Sequence, residues 1–407
     1  MTMQMKSLDQ MLPADDRARI VWDFVSALDL EPLYEKIEVT DSTAGRDAIC
    51  PEVLAALWLM ATRDGIGKAR ELDRRCKRDI RYLWILGEVT VNYHTLSDFR
   101  VQNGEFLNQT LVDTVTTLIA HGLVPLETIG QDGMRVRANA GKSSFRRKPT
   151  LEQLQKEAPE HVDRLGDGLE NEEDERKKSA RERAARERKE RIDEALNQYD
   201  DLRKKREKRQ KEDGESTRVS TTDPDARKMK VANGGYDPAY NVQFATDADA
   251  RIIVGVDVTN EGTDGGEMPA MHEKVQSDYG KTPEKILVDS AYAAARESVT
   301  TVEAAGTEVV STVPRSEQLE KHGKDPHARQ KGDTDEYANF RERMAKEESK
   351  DLSKTRPSVA EFPNADCRNR NLRQFTVRGL EKVKAVALWH ALAFNFMRML
   401  NLGALGA

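Results

Sequence analysis

At 407 residues the chain exceeds one ordinary core and has room for roughly two or three units. With 38% hydrophobic and 33% charged residues it should fold, yet it carries more charge than a compact enzyme needs. A net charge of −6 argues against a nucleic-acid partner only until charge is read locally.

Two stretches reverse the overall sign. Residues 134–148 hold six basic side chains (Arg135, Arg137, Lys142, Arg146, Arg147, Lys148) and no acid. Residues 354–398 hold nine basic against three acidic ones (Glu361, Asp366, Glu381). Either patch can bind phosphates or be a solvated face. No apolar run of about 18 residues occurs, and Met1-Thr2-Met3-Gln4-Met5-Lys6 does not read as a signal peptide, so no membrane partner is expected. Cys50, Cys76 and Cys367 lack C-x-x-C spacing, which points to a reducing cytoplasm and away from disulfides or a zinc site.

Residues 1–123 read as helical. Val53-Leu54-Ala55-Ala56-Leu57-Trp58-Leu59-Met60 is an apolar helix core opened by Pro51 at a first-turn position. A basic stretch from Arg63 to Arg81 follows, and then Tyr93-His94-Thr95-Leu96-Ser97-Asp98-Phe99-Arg100, where Thr95 or Ser97 could cap a helix running towards Ile119. Short helices with a basic face suit a helix-turn-helix-like DNA reader, and equally a plain bundle with a charged surface. Residues 124–149 hold the first strand.

Residues 150–217 are dense in Glu, Lys and Arg. Ala185, Ile192, Ala195, Tyr199 and Leu202 form a thin apolar seam of coiled-coil type. This predicts a long helix or helical hairpin projecting from the body, with a disordered linker as the alternative. From 218 to 402, strands at 239–246 and 251–258 make a hairpin through Asp247-Ala248-Asp249-Ala250. A helix over 268–279, a strand over 285–289, a helix over 293–305 and a strand over 308–313 follow, and then C-terminal helices with an apolar stripe from Leu380 to Met397. The order predicts an α/β (α+β) fold: an RNase H-like mixed-sheet core, an all-α N-terminal domain and the charged helical insertion between the first strand and the hairpin.

Within that order three acids stand out. Asp132 follows Leu126-Glu127-Thr128-Ile129-Gly130-Gln131, Asp289 ends Lys285-Ile286-Leu287-Val288, and Glu361 precedes a basic helix. Two strand-end carboxylates and one helix-borne carboxylate can share two divalent cations for phosphoryl transfer. Each has a plainer reading. Asp132-Gly133 suits a type I′ turn, Asp289 an ordinary strand end, and Glu361 the dipole of its own helix, with Pro363 at the first helical position. Asp366, Glu347 and Glu348 compete with Glu361 for the third place. His94, His272 and His390 have no partner pattern and read as surface or core residues.

Four blocks carry a resemblance to the DDE transposases of bacterial insertion sequences, in the branch named insertion sequence family eleven-eighty-two. They are the segment ending Tyr93-His94-Thr95-Leu96-Ser97-Asp98-Phe99-Arg100; Gln131-Asp132-Gly133-Met134-Arg135-Val136-Arg137; Gly235-Tyr236-Asp237-Pro238-Ala239-Tyr240-Asn241-Val242-Gln243 through Leu287-Val288-Asp289-Ser290-Ala291-Tyr292; and Arg356-Pro357-Ser358-Val359-Ala360-Glu361-Phe362-Pro363-Asn364-Ala365 with Phe375-Thr376-Val377-Arg378-Gly379-Leu380. The pattern around the third acid departs from the family's: Arg368 stands where a Lys is expected, Arg356 is offset, and no tyrosine holds its place.

The resemblance implies a helical DNA-binding region at 1–123 and Asp132, Asp289 and Glu361 as catalytic metal ligands. It implies Mg²⁺ as cofactor, two ions with Mn²⁺ able to substitute, and in-line cleavage and strand transfer at element ends. The implied partners are terminal inverted repeats, target DNA and a second copy of the chain during synapsis. Arg135, Arg137, Arg368, Arg370 and Arg378 are the expected phosphate contacts.

Overall fold

The computed structural model describes residues 7–37, 48–166, 172–210, 216–232 and 234–405; the N-terminal Met1–Lys6 stretch lies outside them. Among the described residues, the regular elements up to Ala120 are all helices. Among them, α4 (Pro51–Arg63) starts on Pro51 and buries every side chain from Val53 to Thr62. In α7 (Tyr93–Gln102) the cap is Asn92, whose Oδ1 accepts from the N–H groups of His94 and Thr95. Thr95 and Ser97 instead lie inside the helix. The helix α8 (Gly104–Ala120) then leads to the sheet.

The strands are β1 (Thr128–Arg137), β4 (Arg227–Lys230), β5 (Tyr236–Asp247), β6 (Ile253–Thr259), β7 (Lys285–Leu287) and β8 (Glu308–Val310). β1 is central. It pairs antiparallel with β5 on one side and parallel with β7 on the other, and β8 extends the parallel edge. β4 and β6 both pair antiparallel with β5, at Ala239 and before it and at Asn241 and after it. They therefore lie end to end along one edge. Helix α11 (Glu267–Tyr279) connects β6 to β7, and α12 (Ser290–Ala293) with α13 (Arg296–Ala304) connects β7 to β8. This is the mixed α/β sheet of an RNase H-like fold, with the hairpin and crossovers in the order expected.

Between β1 and β4 the chain forms β2 (Phe145–Arg146), α9 (Lys148–Gly166), α10 (Glu172–Gln210) and β3 (Val219–Ser220), with β2 and β3 paired antiparallel. α9 and α10 pack against each other, and the seam residues Ile192, Ala195 and Tyr199 are buried. A small cluster of Leu151, Ala195, Tyr199 and Val219 ties the pair to the β2–β3 strands. The helical hairpin is thus rooted in a core of its own.

The last helix, α18 (Leu380–Asn401), is buried on nearly all sides and packs against α4, α7 and α8 and also β6. One continuous apolar core consequently runs from the N-terminal helices through α18 to the sheet. No helix among the described residues is long and apolar enough to cross a membrane. Cys50, Cys76 and Cys367 are free thiols.

Candidate active site

Alternation along β1 decides which residues meet. Side chains at even positions share one face and those at odd positions the other. On the even face, Gly130 leaves space that a Cβ would fill: one placed there would lie 2.7 Å from Val359 Cγ1 and 3.2 Å from Ala360 Cβ. Two residues on, the same face carries Asp132. The Asp132-Gly133 pair is therefore no turn. It sits inside the strand, opposite Phe244 and Gln243, because the long antiparallel ladder with β5 outweighs the local turn preference of Asp-Gly.

Val359 and Ala360 belong to a π-turn, Pro357–Glu361, that joins α16 (Glu347–Arg356) to α17 (Phe362–Asn369) without a break. Pro357 and Pro363 both lack an N–H, so a regular i→i−4 ladder cannot run through this stretch, and the backbone widens. The wide turn buries Val359 and Ala360 on β1 and leaves Glu361 at its end. Glu361 is thus inside a continuous helical run rather than at the start of a helix.

Asp289 arrives by register. In the parallel pair of β1 and β7, Gly130 lies opposite Leu287. Asp132 and Asp289 are each two residues beyond that pair, Asp132 still within β1 and Asp289 just past the end of β7. Asp289 then caps α12, its Oδ1 accepting from the N–H groups of Ala291 (2.8 Å) and Tyr292 (3.3 Å).

Asp132 has few partners for a carboxylate in its position. Asn364 Nδ2, from the first turn of α17, donates to Asp132 Oδ2 at 2.8 Å. The Arg356 guanidinium stands between the acids: Nη2 is 2.6 Å from Glu361 Oε1, and Nη1 is 4.0 Å from Asp132 Oδ1. Burial pushes the Asp132 carboxyl up to about 6; Arg356 and Asn364 oppose the rise, while the charges of Asp289 and Glu361 add to it. Of the competing acids, Asp366 is held by Arg370 at 2.6 Å, and Glu347 pairs with Lys350 at 3.6 Å.

The odd face of β1 meets a buried polar cluster, in which Gln131 Oε1 and Asn241 Oδ1 are left without a hydrogen-bond partner among the described residues. Asp264 accepts from Arg135, Asn241 and Gln243, and Gln131 and Tyr292 both donate to Gln243 Oε1. Gly133 exists for this cluster, since a Cβ there would lie 2.3 Å from Asp264 Oδ1. The sequence reading missed it because Asn241 and Gln243 alternate with apolar residues as a solvent face would, whereas both are buried.

The expected phosphate-binding arginines fall in different places. Arg135 is tied to Asp264 (2.8 Å) and to Gly262 O, and Arg370 to Asp366 and to Arg63 O. Contact with DNA would require either one to leave these partners. Arg137 is exposed with one arm on Asp237, Arg378 is exposed beside Asn139 O, and Arg368 is half-buried. Of the histidines, His94 is exposed, and His272 and His390 are buried. Asn364 was not singled out from sequence. Its only signal is a buried amide in the first turn of an otherwise apolar helix face.

Among the described residues no three His, Cys, Asp or Glu side chains are gathered tightly enough to ligate one ion. The donor chemistry nevertheless suits a divalent cation. Carboxylate oxygens are the ligands Mg²⁺ takes, Asn364 Oδ1 is buried without a hydrogen-bond partner among the described residues, and the positive charge among the acids comes from Arg356.

Comparison with known families gives two matches. Residues 6–102 match the family described as Transposase domain (DUF772), and residues 212–396 match the Transposase DDE domain. No curated protein and no solved structure matches the chain.

Proposed function

We propose that this chain, a DDE transposase by the two domains it carries, binds the inverted repeats of an insertion sequence, cuts them and joins the freed 3′ ends to target DNA. The observation that carries the reading is the arrangement around Asp132. A half-buried strand carboxylate has its proton affinity raised first by loss of solvent, and then by the charges of Asp289 just past the neighbouring strand and Glu361 from the π-turn. In this reading the three acids hold divalent metal, Mg²⁺ or Mn²⁺ and two ions in all. Such ions, when bound, supply Lewis-acid polarisation of the phosphate and a more acidic attacking hydroxyl.

The chain's own groups do the positioning. Asn364 fixes the orientation of the Asp132 carboxylate, and the first N–H groups of α12 fix Asp289. Arg356 offsets the mutual repulsion of Asp132 and Glu361. Val359 and Ala360, pressed onto Gly130, keep water from one side of the strand. Arg137, Arg368 and Arg378 are the arginines best placed to meet phosphates without first breaking an internal carboxylate pair deep in the fold. Residues 1–123 contribute DNA binding, two copies of the chain bring two ends together, and the reaction takes place in the cytoplasm. The membership proposed is the branch of insertion sequence family eleven-eighty-two.

The test is incubation of wild-type protein with duplex DNA carrying the ends that flank its gene, in Mg²⁺ or Mn²⁺. The reading expects metal-dependent nicks at the ends and joined products. No nicking with either metal overturns it in favour of the alternative, a catalytically decayed DNA-binding protein on the same fold.

A further inference from the structure

The gap between β4 and β6 along the edge of β5 is roofed by α10, and beneath it lies a cavity of about 570 Å³. Its walls carry five cations (Lys205, Arg206, Arg218, Arg227 and Lys228) and one acid, Glu261. On a chain with a net charge of −6 this is a strong local reversal.

The cations are not equally committed. Arg227 is held by Pro224 O, Ala226 O and Gln198. Arg206 reaches Ser216 O, and its buried Nε has no hydrogen-bond partner among the described residues. Lys205 is 3.4 Å from Glu261, and Lys228 rests over the Phe145 ring. Arg218 is exposed and takes no ion pair among the described residues. Tyr236, 62% exposed, stands at the rim with its ring open to solvent. The floor is not loose, because Gly262 O accepts from Arg135, which lies three residues along β1 from Asp132.

Cations lining a groove next to an open aromatic ring are the chemistry that holds an unpaired nucleic-acid strand: charge tracks the backbone and the ring stacks a base. The volume suits one or two nucleotides and is far too small for a duplex. We propose that this cavity at the root of the helical hairpin seats a short single-stranded DNA segment. Arg218, Lys205 and Lys228 take its phosphates, and Tyr236 stacks one base. The inference rests on the DNA-processing reading above. It adds a second DNA contact, separate from the three acids and joined to β1 by the bond from Arg135 to Gly262 O.

The experiment measures binding of a fluorescent oligothymidylate and of a duplex of equal length to the full chain over a range of salt concentrations. Wild type, Tyr236→Ala and the double variant Arg218→Ala/Lys228→Ala are compared, all at exposed positions that leave the core intact. The expected result for Tyr236→Ala is a loss of about tenfold on the single strand with the duplex unchanged. For the double variant it is a weaker single-strand affinity whose salt slope falls by about 0.7 for each phosphate contact removed. Unchanged single-strand affinity and slope in both variants overturn the proposal, and so does an equal loss on single strand and duplex. Metal-dependent nicking by wild type, run alongside, separates this failure from failure of the transposase reading itself.

Discussion

The two faces of strand β1 each meet an acid, Asp132 from the strand itself and Asp264 from the segment after β6, and treat it in opposite ways. On the odd face Asp264 accepts from Arg135, Asn241 and Gln243. On the even face Asp132 has a single hydrogen bond from Asn364 and an arginine 4.0 Å away, with two more acids beyond. A carboxylate surrounded by donors is a structural part. One that is half-buried, under-partnered and beside other acids stores unfavourable charge that a bound cation or a proton can relieve. The contrast separates stability from chemistry within a few residues of one strand.

If the contrast is right, the largest effect on stability lies on the odd face. Asp264→Ala leaves the half-buried Arg135 and the buried amides of Asn241 and Gln243 without their acceptor and should cost about 3–5 kcal/mol, read from denaturant unfolding. A loss below about 1 kcal/mol would mean that Asp264 does not hold the cluster together.

The even face should behave in the opposite sense. The Asp132 carboxyl in the folded chain, at about 6, lies above its unfolded value of 3.8, so the native state binds more protons between the two. Its contribution to stability is therefore full below pH 4 and is lost as pH rises through 6. In EDTA at neutral pH, Asp132→Asn should be more stable than wild type by about 2–3 kcal/mol, with the difference disappearing near pH 4. Thermal melts across that range check it, and an Asn variant less stable than wild type at pH 7 would remove the charge strain from the account.

Smaller effects concern how the π-turn docks. Gly130→Ala places a methyl against Val359 and Ala360 and should cost about 1–3 kcal/mol. Catalysis should fall more than stability does, because the displaced turn carries Glu361. Asn364→Ala should cost about 1–2 kcal/mol. It should also move the pH midpoint of the Asp132 transition upward, since a donor that favours the ionised form is gone. A midpoint that stays put would show that Asn364 does not hold this carboxylate.

The sequence made the strand order readable because the hairpin, the crossover helices and the parallel strands each have a clear period, and order alone brings Asp132 beside Asp289 although 157 residues separate them. The charge signals were less readable. Much of the basic run between Arg63 and Arg81 is paired close by, Arg74 and Arg75 with Glu71, Lys77 with Asp73 and Arg81 with Asp16. Arg135 and Arg370 likewise meet acids that no local pattern predicts. From sequence, Pro363 reads as the first position of a helix that Glu361 precedes, and Pro357 stands four residues before Glu361. The structure instead uses those prolines to widen a continuous helix into the turn that presses on Gly130. That outcome depends on a space left by a glycine more than two hundred residues earlier, and no local rule contains it.

The most direct measurement compares nicking rates in Mg²⁺ for single-acid variants. Asp132→Asn, Asp289→Asn and Glu361→Gln should each lose roughly a hundred- to a thousandfold, while Asp366→Asn and Glu347→Gln stay within a few-fold of wild type. Full activity in Glu361→Gln together with a dead Asp366→Asn would contradict the account and move the third acid along α17.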